Sequence, residues 1–289
     1  MKKEKKQSKY LILLLLIVGI FFIIWTLWSN KALEVNEFTI ASSRIPPAFS
    51  GFRIAQVSDL HNTEFGEGNA TLLKMLSESQ PDIIMITGDL IDVQHTDIEI
   101  ALYFAEESVK IAPTYYVTGN HEASSSQYDT LKTELKDAGV TVLEDESVYL
   151  ERDGETIVLL GLDDPNFTIK GDMFSEVPAM VSTKINNMLK QNTMYSILLS
   201  HRPELFETYV ACGIDLVLSG HAHGGQFRLP FIGGLIAPNQ GLFPRYDAGL
   251  FTDDNTNMIV SRGLGNSIIP IRFNNRPEIV LIELHTNNN

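Results

Sequence analysis

The chain has 289 residues, 44% of them hydrophobic and 20% charged, with a formal net charge of −14. That balance excludes a nucleic-acid binder, whose affinity rests on Lys and Arg meeting phosphates. The single cysteine, Cys212, excludes an intramolecular disulfide and a thiolate zinc site.

Residues 1–9 form a basic tail in which Lys2, Lys3, Lys5, Lys6 and Lys9 stand against Glu4 alone. Residues 10–28 carry no charge and are nearly all apolar, long enough at a helical rise of about 1.5 Å per residue to cross a bilayer's hydrocarbon. Trp25 and Trp28 lie at the far end, where interfacial aromatics collect, and lysines before the span predict a cytoplasmic N-terminus and an extracytoplasmic remainder. A cleaved signal peptide is the rival reading. Its apolar region is shorter and ends in an A-x-A-like site, which Ser29-Asn30-Lys31-Ala32 does not match. The acidic excess therefore concentrates after Trp28, where it suits divalent cations.

Residues 29–50 read as a stalk with a lead-in edge strand, ended by Pro46-Pro47. Strands are expected at 53–57, 82–87 and 114–117. Between and after them come helices at 69–79, from a capping box at Thr96-Asp97-Ile98-Glu99, and from Ser124-Ser125-Ser126-Gln127 to Gly139. This βαβαβα order is the signature of a largely parallel sheet. Beyond it come a short strand at 141–143 and a hairpin, 148–151 with 156–160, turning at Asp153-Gly154. Helices at 174–189 and 203–211 and strands at 195–199, 214–218, 258–261 and 279–284 complete the fold, before a polar tail at 286–289. The Gly/Pro-rich segment 224–243 is long enough to be functional. Its Phe227, Phe231, Leu235, Ile236, Leu242 and Phe243 either pack over the sheet, the favoured reading, or dip towards the bilayer to admit a lipid-linked substrate. With no repeat or low-complexity linker, residues 51–285 read as one domain.

Five apolar runs end in metal-ligand residue types: Ser58-Asp59-Leu60-His61, Gly88-Asp89-Leu90-Ile91-Asp92, Gly119-Asn120-His121-Glu122, Ser200-His201 and Gly220-His221-Ala222-His223. In open α/β sheets, chemistry is done at the carboxyl ends of strands. Asp59 and His61 can reach one ion together, and Asp89 has two oxygens with which to bridge a pair. Such pairs clamp the attacking and leaving oxygens of an in-line displacement. Mixed His, Asp and Asn ligation favours Mn, Fe, Zn or Co over Ca or Mg. Five of the seven histidines fall in these motifs; His95 and His285 read as surface residues. Glu122 either braces the ligand loop or caps a helix.

The order D-x-H, G-D-x-x-D, G-N-H-E, H, G-H-x-H resembles that of the calcineurin-like metallophosphoesterases over residues 52–284, and S-D-L-H, S-H-R-P-E and G-H-A-H-G-G-Q are similar to the bacterial membrane-associated, YkuE-like branch. The resemblance implies a four-layer α/β/β/α sandwich of two mixed sheets with a dinuclear site between loops at one end. Transferred residue by residue, one metal takes Asp59, His61, Asp89 and His223, and the other takes Asp89, Asn120, His201 and His221. His121 faces the scissile phosphate without binding metal, and Asp92 orients a neighbour. The implied activity is phosphomono- or phosphodiester hydrolysis by a hydroxide that two divalent transition-metal ions (Mn²⁺, Fe²⁺ or Zn²⁺) make available near neutral pH. Arg202, Arg245, Arg262 and Arg272 lie near expected loops, where they either grip a second phosphate or are ordinary surface arginines; Arg202 is the weak substrate-binding candidate. Two alternatives stay open. One is a pyrophosphatase on a nucleotide-activated lipid precursor of the UDP-diacylglucosamine type, which needs a cytoplasmic site; the other is a non-catalytic metal-binding scaffold.

Overall fold

The computed structural model describes residues 2–169, 173–190, 192–266 and 270–287. The last two residues of the expected polar tail, 288 and 289, lie outside them, and Thr286 belongs to the final strand.

The N-terminal apolar run is a single helix, α1 (Lys2–Ser29), whose apolar span is exposed from Lys9 to Trp25 and becomes buried at Ser29. The lead-in strand follows as β1 (Glu34–Ser42) and is the edge of a six-stranded sheet, paired in parallel with the chain's last strand, β16 (Glu278–Thr286). The other strands of this first sheet are β2 (Phe52–Val57), β3 (Ile83–Thr87), β4 (Thr114–Val117) and β5 (Thr141–Val142), in the order β1-β16-β2-β3-β4-β5. Only the β16–β2 pairing is antiparallel. The helices between these strands are α2 (Ala70–Glu78), α3 (Ile98–Ile111), α4 (Asn120–Ser124) and α5 (Tyr128–Asp137). The α3 cap is Asp97, whose carboxylate accepts from Glu99 N–H; Thr96, the expected cap, instead donates its hydroxyl to Asp92 O. The one-turn helix α4 is too short to show a period in the sequence.

The second sheet runs β14-β15-β9-β8-β7-β6. It contains the hairpin β6 (Glu146–Arg152) and β7 (Glu155–Gly161), then β8 (Ser196–Leu199) and β9 (Leu216–Ser219) in parallel, and the late hairpin β14 (Gly249–Asp253) and β15 (Thr256–Val260). Asp153 and Gly154 close the first hairpin with φ of 49° and 82°, as a turn with two left-handed residues requires. Its outer face carries α6 (Val177–Leu189) and α7 (Phe206–Ala211).

The continuous apolar strands now have a physical reason. Along β3, Ile83 and Met85 face the second sheet while Ile84 and Ile86 face the helices, so both faces of the pleat are covered. Three apolar layers result. One lies under α2, α3 and α5, one between the sheets, and one under α6 and α7, giving the α/β/β/α sandwich. Gln56 crosses the middle layer and donates to Ser219 O at 2.9 Å, tying the sheets together just behind their shared end.

Segment 224–243 differs from the expectation of a structureless loop packed over the sheet. It forms two small ladders, β10 (Arg228–Leu229) with β11 (Gly233–Gly234) and β12 (Ile236–Ala237) with β13 (Gly241–Leu242), while Phe231, Ile232, Leu242 and Phe243 stand exposed. Its two-residue ladders leave too little backbone to bury the side chains between them.

Candidate metal centre

All five motifs lie at the C-terminal ends of parallel strands and meet at one end of the sandwich. β2, β3 and β4 deliver Asp59, His61, Asp89, Asn120, His121 and Glu122; β8 and β9 deliver His201, His221 and His223. The ends of β2, β3 and β9 then turn sharply. Asp59, His61, Asp89, His221 and His223 have φ of 53°, 46°, 52°, 66° and 47°. For L-residues the left-handed region costs roughly 1–2 kcal/mol each, and it persists where surroundings over-determine it. Here Asp59 N–H donates to Gly88 O at 3.0 Å, His61 N–H to Asp89 O at 3.1 Å, and His121 N–H to Asp89 Oδ1 at 2.9 Å. The motif glycines follow from close approach. A Cβ on Gly220 would overlap Ser58 Oγ, and one on Gly88, itself at φ 89°, would lie 2.7 Å from His201 Nδ1.

Asp89 sits at the centre. Its Oδ2 is 3.1 Å from His201 Nε2 and 3.7 Å from His61 Nε2. Asp59 Oδ1 is 3.3 Å from His223 Nε2 and 3.9 Å from both His61 Nε2 and His201 Nε2. The His61 and His223 rings bring their Nε2 atoms within 3.2 Å of each other. Two buried groups thus stand side by side, Asp59-His61-His223 and Asp89-His201-His221, and a third, His61-Asp92-His121, shares His61, each with ligand atoms within 4.8 Å. Asn120 Oδ1 is buried without a hydrogen-bond partner in the structure. Leaving such an atom unpaired costs about 1–3 kcal/mol, so the donor set fits divalent cations better than an empty polar core.

Hydrogen bonds fix some of the rings. His201 Nδ1 lies 2.7 Å from Thr87 O; a carbonyl only accepts, so a hydrogen is on Nδ1, and Nε2 is the ring atom that faces the carboxylates. His121 Nδ1 accepts from Val93 N–H at 3.0 Å, which leaves the hydrogen of the neutral ring on Nε2. Arg202 Nη1 lies 3.0 Å from His221 Nε2 and can only donate, so this contact and ligation through Nε2 exclude one another. Burial holds His61 and His221 well below their ordinary value and lowers His223, keeping the three rings neutral as ligands must be. Burial lowers His201 too, but Asp89 outweighs it and pushes the ring up to about 10.

Glu122 both caps and braces. Its carboxylate accepts from Gly119 N–H at 2.8 Å, Asp89 N–H at 2.9 Å and Ile91 N–H at 3.2 Å, joining the second and third strand ends. Burial and the nearby Asp89 push it up to about 8, against the pull of those donors. Asp92 Oδ2 stands 3.7 Å from His61 Nδ1 and 3.8 Å from His121 Nδ1, between the two rings. Of the four arginines, only Arg202 lines the pocket, a cavity of about 500 Å³ that also touches Asp89, Asn120, His121, His221 and His223. Arg272 is fully buried among carbonyl oxygens, Arg262 pairs with Glu278 and Glu34, and exposed Arg245 pairs with Glu207. Asp164, which escaped the sequence reading, holds Arg202 through Nε at 2.5 Å and Nη2 at 2.9 Å. The signal was present: β7 also ends in acid, at Gly161-Leu162-Asp163-Asp164.

A family model described as calcineurin-like phosphoesterase matches residues 52–225. The chain is 33% identical over 263 residues to the uncharacterized metallophosphoesterase YkuE of Bacillus subtilis, covering 89% of this chain and 87% of that one. It is 27% identical over 291 residues to a zebrafish (Danio rerio) protein named transmembrane protein with metallophosphoesterase domain, covering 96% of this chain and 63% of that one. Among solved structures, TT1561 of Thermus thermophilus superposes with a TM-score of 0.50 at 13% identity, over 74% of this chain and 90% of that one, a likeness of fold.

Proposed function

The chain belongs to the calcineurin-like phosphoesterase family and is a metal-dependent phosphoric ester hydrolase; on that premise we propose that it cleaves a phosphomono- or phosphodiester at a dinuclear centre held to the membrane by α1. The observation that carries this reading is the position of Asp89 Oδ2 between His201 Nε2 and His61 Nε2, one from each ligand group. Asp59, His61, Asp89 and His223 would hold one cation; Asp89, Asn120, His201 and His221 would hold the other. When bound, such a pair lowers the pKa of a water and offsets charge on phosphoryl oxygens. The mixed donor set favours manganese, iron or zinc.

The chain's own residues do the rest. His121 presents Nε2–H to the pocket, because Val93 N–H occupies Nδ1, and so serves the leaving oxygen as hydrogen-bond donor or acid. Arg202, pinned by Asp164, offers its guanidinium at the pocket wall to a phosphate oxygen. Glu122 keeps the Asp89 and Asn120 turns in register. Residues 51–285 carry the activity, with the lead-in 29–50 built on through β1.

One N-terminal apolar helix and a relative named as a transmembrane protein support the membrane reading. The lysines before residue 10 support an extracytoplasmic catalytic domain. With Mn²⁺ supplied, the full chain is expected to hydrolyse a soluble aryl phosphoester, and protease added to intact spheroplasts is expected to digest the domain. No hydrolysis of mono- or diester overturns the phosphoesterase reading; survival until lysis overturns the orientation.

A further inference from the structure

The end of α1 does not simply lead into the domain; it is packed along it. Phe22 meets Phe273 with ring centroids 6.1 Å apart. Asn30 donates its side-chain amide to Arg272 O at 2.8 Å and accepts Arg272 N–H at 2.9 Å, while the Arg276 guanidinium lies over the Trp28 ring at 5.2 Å. These contacts set a depth. Phe22 lies seven residues before Ser29, about 10 Å back along the helix axis at 1.5 Å per residue. A domain residue touching Phe22 is therefore level with the apolar part of the span, below the Trp28 belt. Pro270 and Ile271 lie beside the end of α1, where they line with Phe22, Ile23 and Leu27 a groove of about 870 Å³ that also reaches Asn30, Lys31 and Glu64.

Backbone hydrogen bonds tie the 226–243 segment to the same place. Arg228 N–H donates to Phe273 O at 2.9 Å, Leu235 N–H to Phe227 O at 2.9 Å, and Phe243 N–H to Leu235 O at 2.9 Å, a lateral row that starts at Phe273. Along this row stand, among the described residues, the most exposed large apolar side chains outside α1: Phe231 (fully exposed), Leu242 (71%), Phe243 (63%) and Ile232 (60%), with Ile271 at 47%. Scattered exposed apolar residues need no explanation, but a contiguous set continuous with a span does. We infer that Ile271 and the apolar tips of the 226–243 segment are seated in the membrane, in the leaflet at the C-terminal end of α1. Because Ile236 and Gly241 of this segment also line the catalytic pocket, the pocket is held at the headgroup layer. Its substrate is then a phosphoester carried by a membrane lipid, a consequence that rests on the phosphoesterase reading, whereas the docking surface does not.

The test uses the full chain in phosphatidylcholine vesicles containing phosphatidylglycerol, with Trp25→Phe and Trp28→Phe as background. Phe231→Trp or Leu242→Trp then supplies a single reporter. Quenching by lipids spin-labelled on the acyl chain, with protection from aqueous acrylamide, is expected. Quenching by acrylamide without quenching by lipid puts the surface in water and overturns the proposal. Protection from both means that protein, such as a second copy, covers it, which overturns it as well. In the second arm, Phe231→Asp with Leu242→Asp is expected to lower hydrolysis of vesicle phosphatidylglycerol by about tenfold or more, since charge opposes interfacial insertion, and to leave hydrolysis of the soluble aryl ester unchanged. Equal loss on both substrates overturns the docking role. Unmodified chain that cleaves the aryl ester but not the vesicle lipid overturns the substrate assignment. If it cleaves neither, the phosphoesterase reading fails while the quenching result stands.

Discussion

The two sheets contribute to the candidate centre in different chemical currencies. The first sheet's strand ends bring the oxygen donors Asp59, Asp89 and Asn120, with His61 among them; the second sheet's bring imidazoles only, His201, His221 and His223. Besides Gln56 behind the site, two links across the seam are made by the ligands themselves. His221 N–H donates to both Asp59 oxygens at 3.1 Å, and His201 Nδ1–H donates to Thr87 O at 2.7 Å. Neither lip is a site alone. The carboxylates without the imidazoles would be buried unpaired charge, and the imidazoles without the carboxylates would lack a counter-charge for a cation. The activity therefore depends on how the sheets are held together as much as on the ligands.

The largest effect is expected where one side chain serves both lips. Asp89→Asn should reduce activity to background and lower the number of bound cations, measured by metal analysis alongside turnover. His121→Asn sharpens the contrast, because His121 stands at the pocket but is assigned no cation. It should lose about 10²- to 10⁴-fold in kcat, the usual worth of a positioned acid, with metal content unchanged. Equal metal loss in the two variants would make His121 a ligand. Gly220→Ala probes the seam. Its methyl would overlap Ser58 Oγ, and overpacking of this kind costs about 1–3 kcal/mol, read as a lowered unfolding midpoint in denaturant. Smallest should be Glu122→Gln, which keeps one acceptor oxygen for the Asp89 and Gly119 donors and loses the acceptor for Ile91 N–H. A roughly 10- to 100-fold loss of metal affinity, the scale for groups that orient ligands, is expected by titration, with the fold intact.

What the sequence made legible follows from what has a period or a fixed order. The β3 run at 83–87 and the α3 pattern at 98–111 were readable because a pleat and a helix repeat their burial. The ligand motifs were readable because each follows an apolar run, which puts it at a strand end. Geometry across the seam has no such trace. Nothing local shows that Arg272 is fully buried, that Asp164 fixes Arg202, or that Phe231 and Leu242 stand exposed. Each depends on which distant segment arrives beside it. Phe273, for example, meets both Phe22 and Arg228 from far along the chain.

The central claim is that two sheets assemble one centre for two cations around Asp89. The direct measurement is the metal content of the full chain in detergent, stripped with chelator, reloaded with Mn²⁺ and freed of excess by gel filtration. The account predicts two ions per chain, and fewer in Asp89→Asn. One ion or none in the unmodified chain, after reloading with Mn²⁺ and again with Zn²⁺, would contradict it.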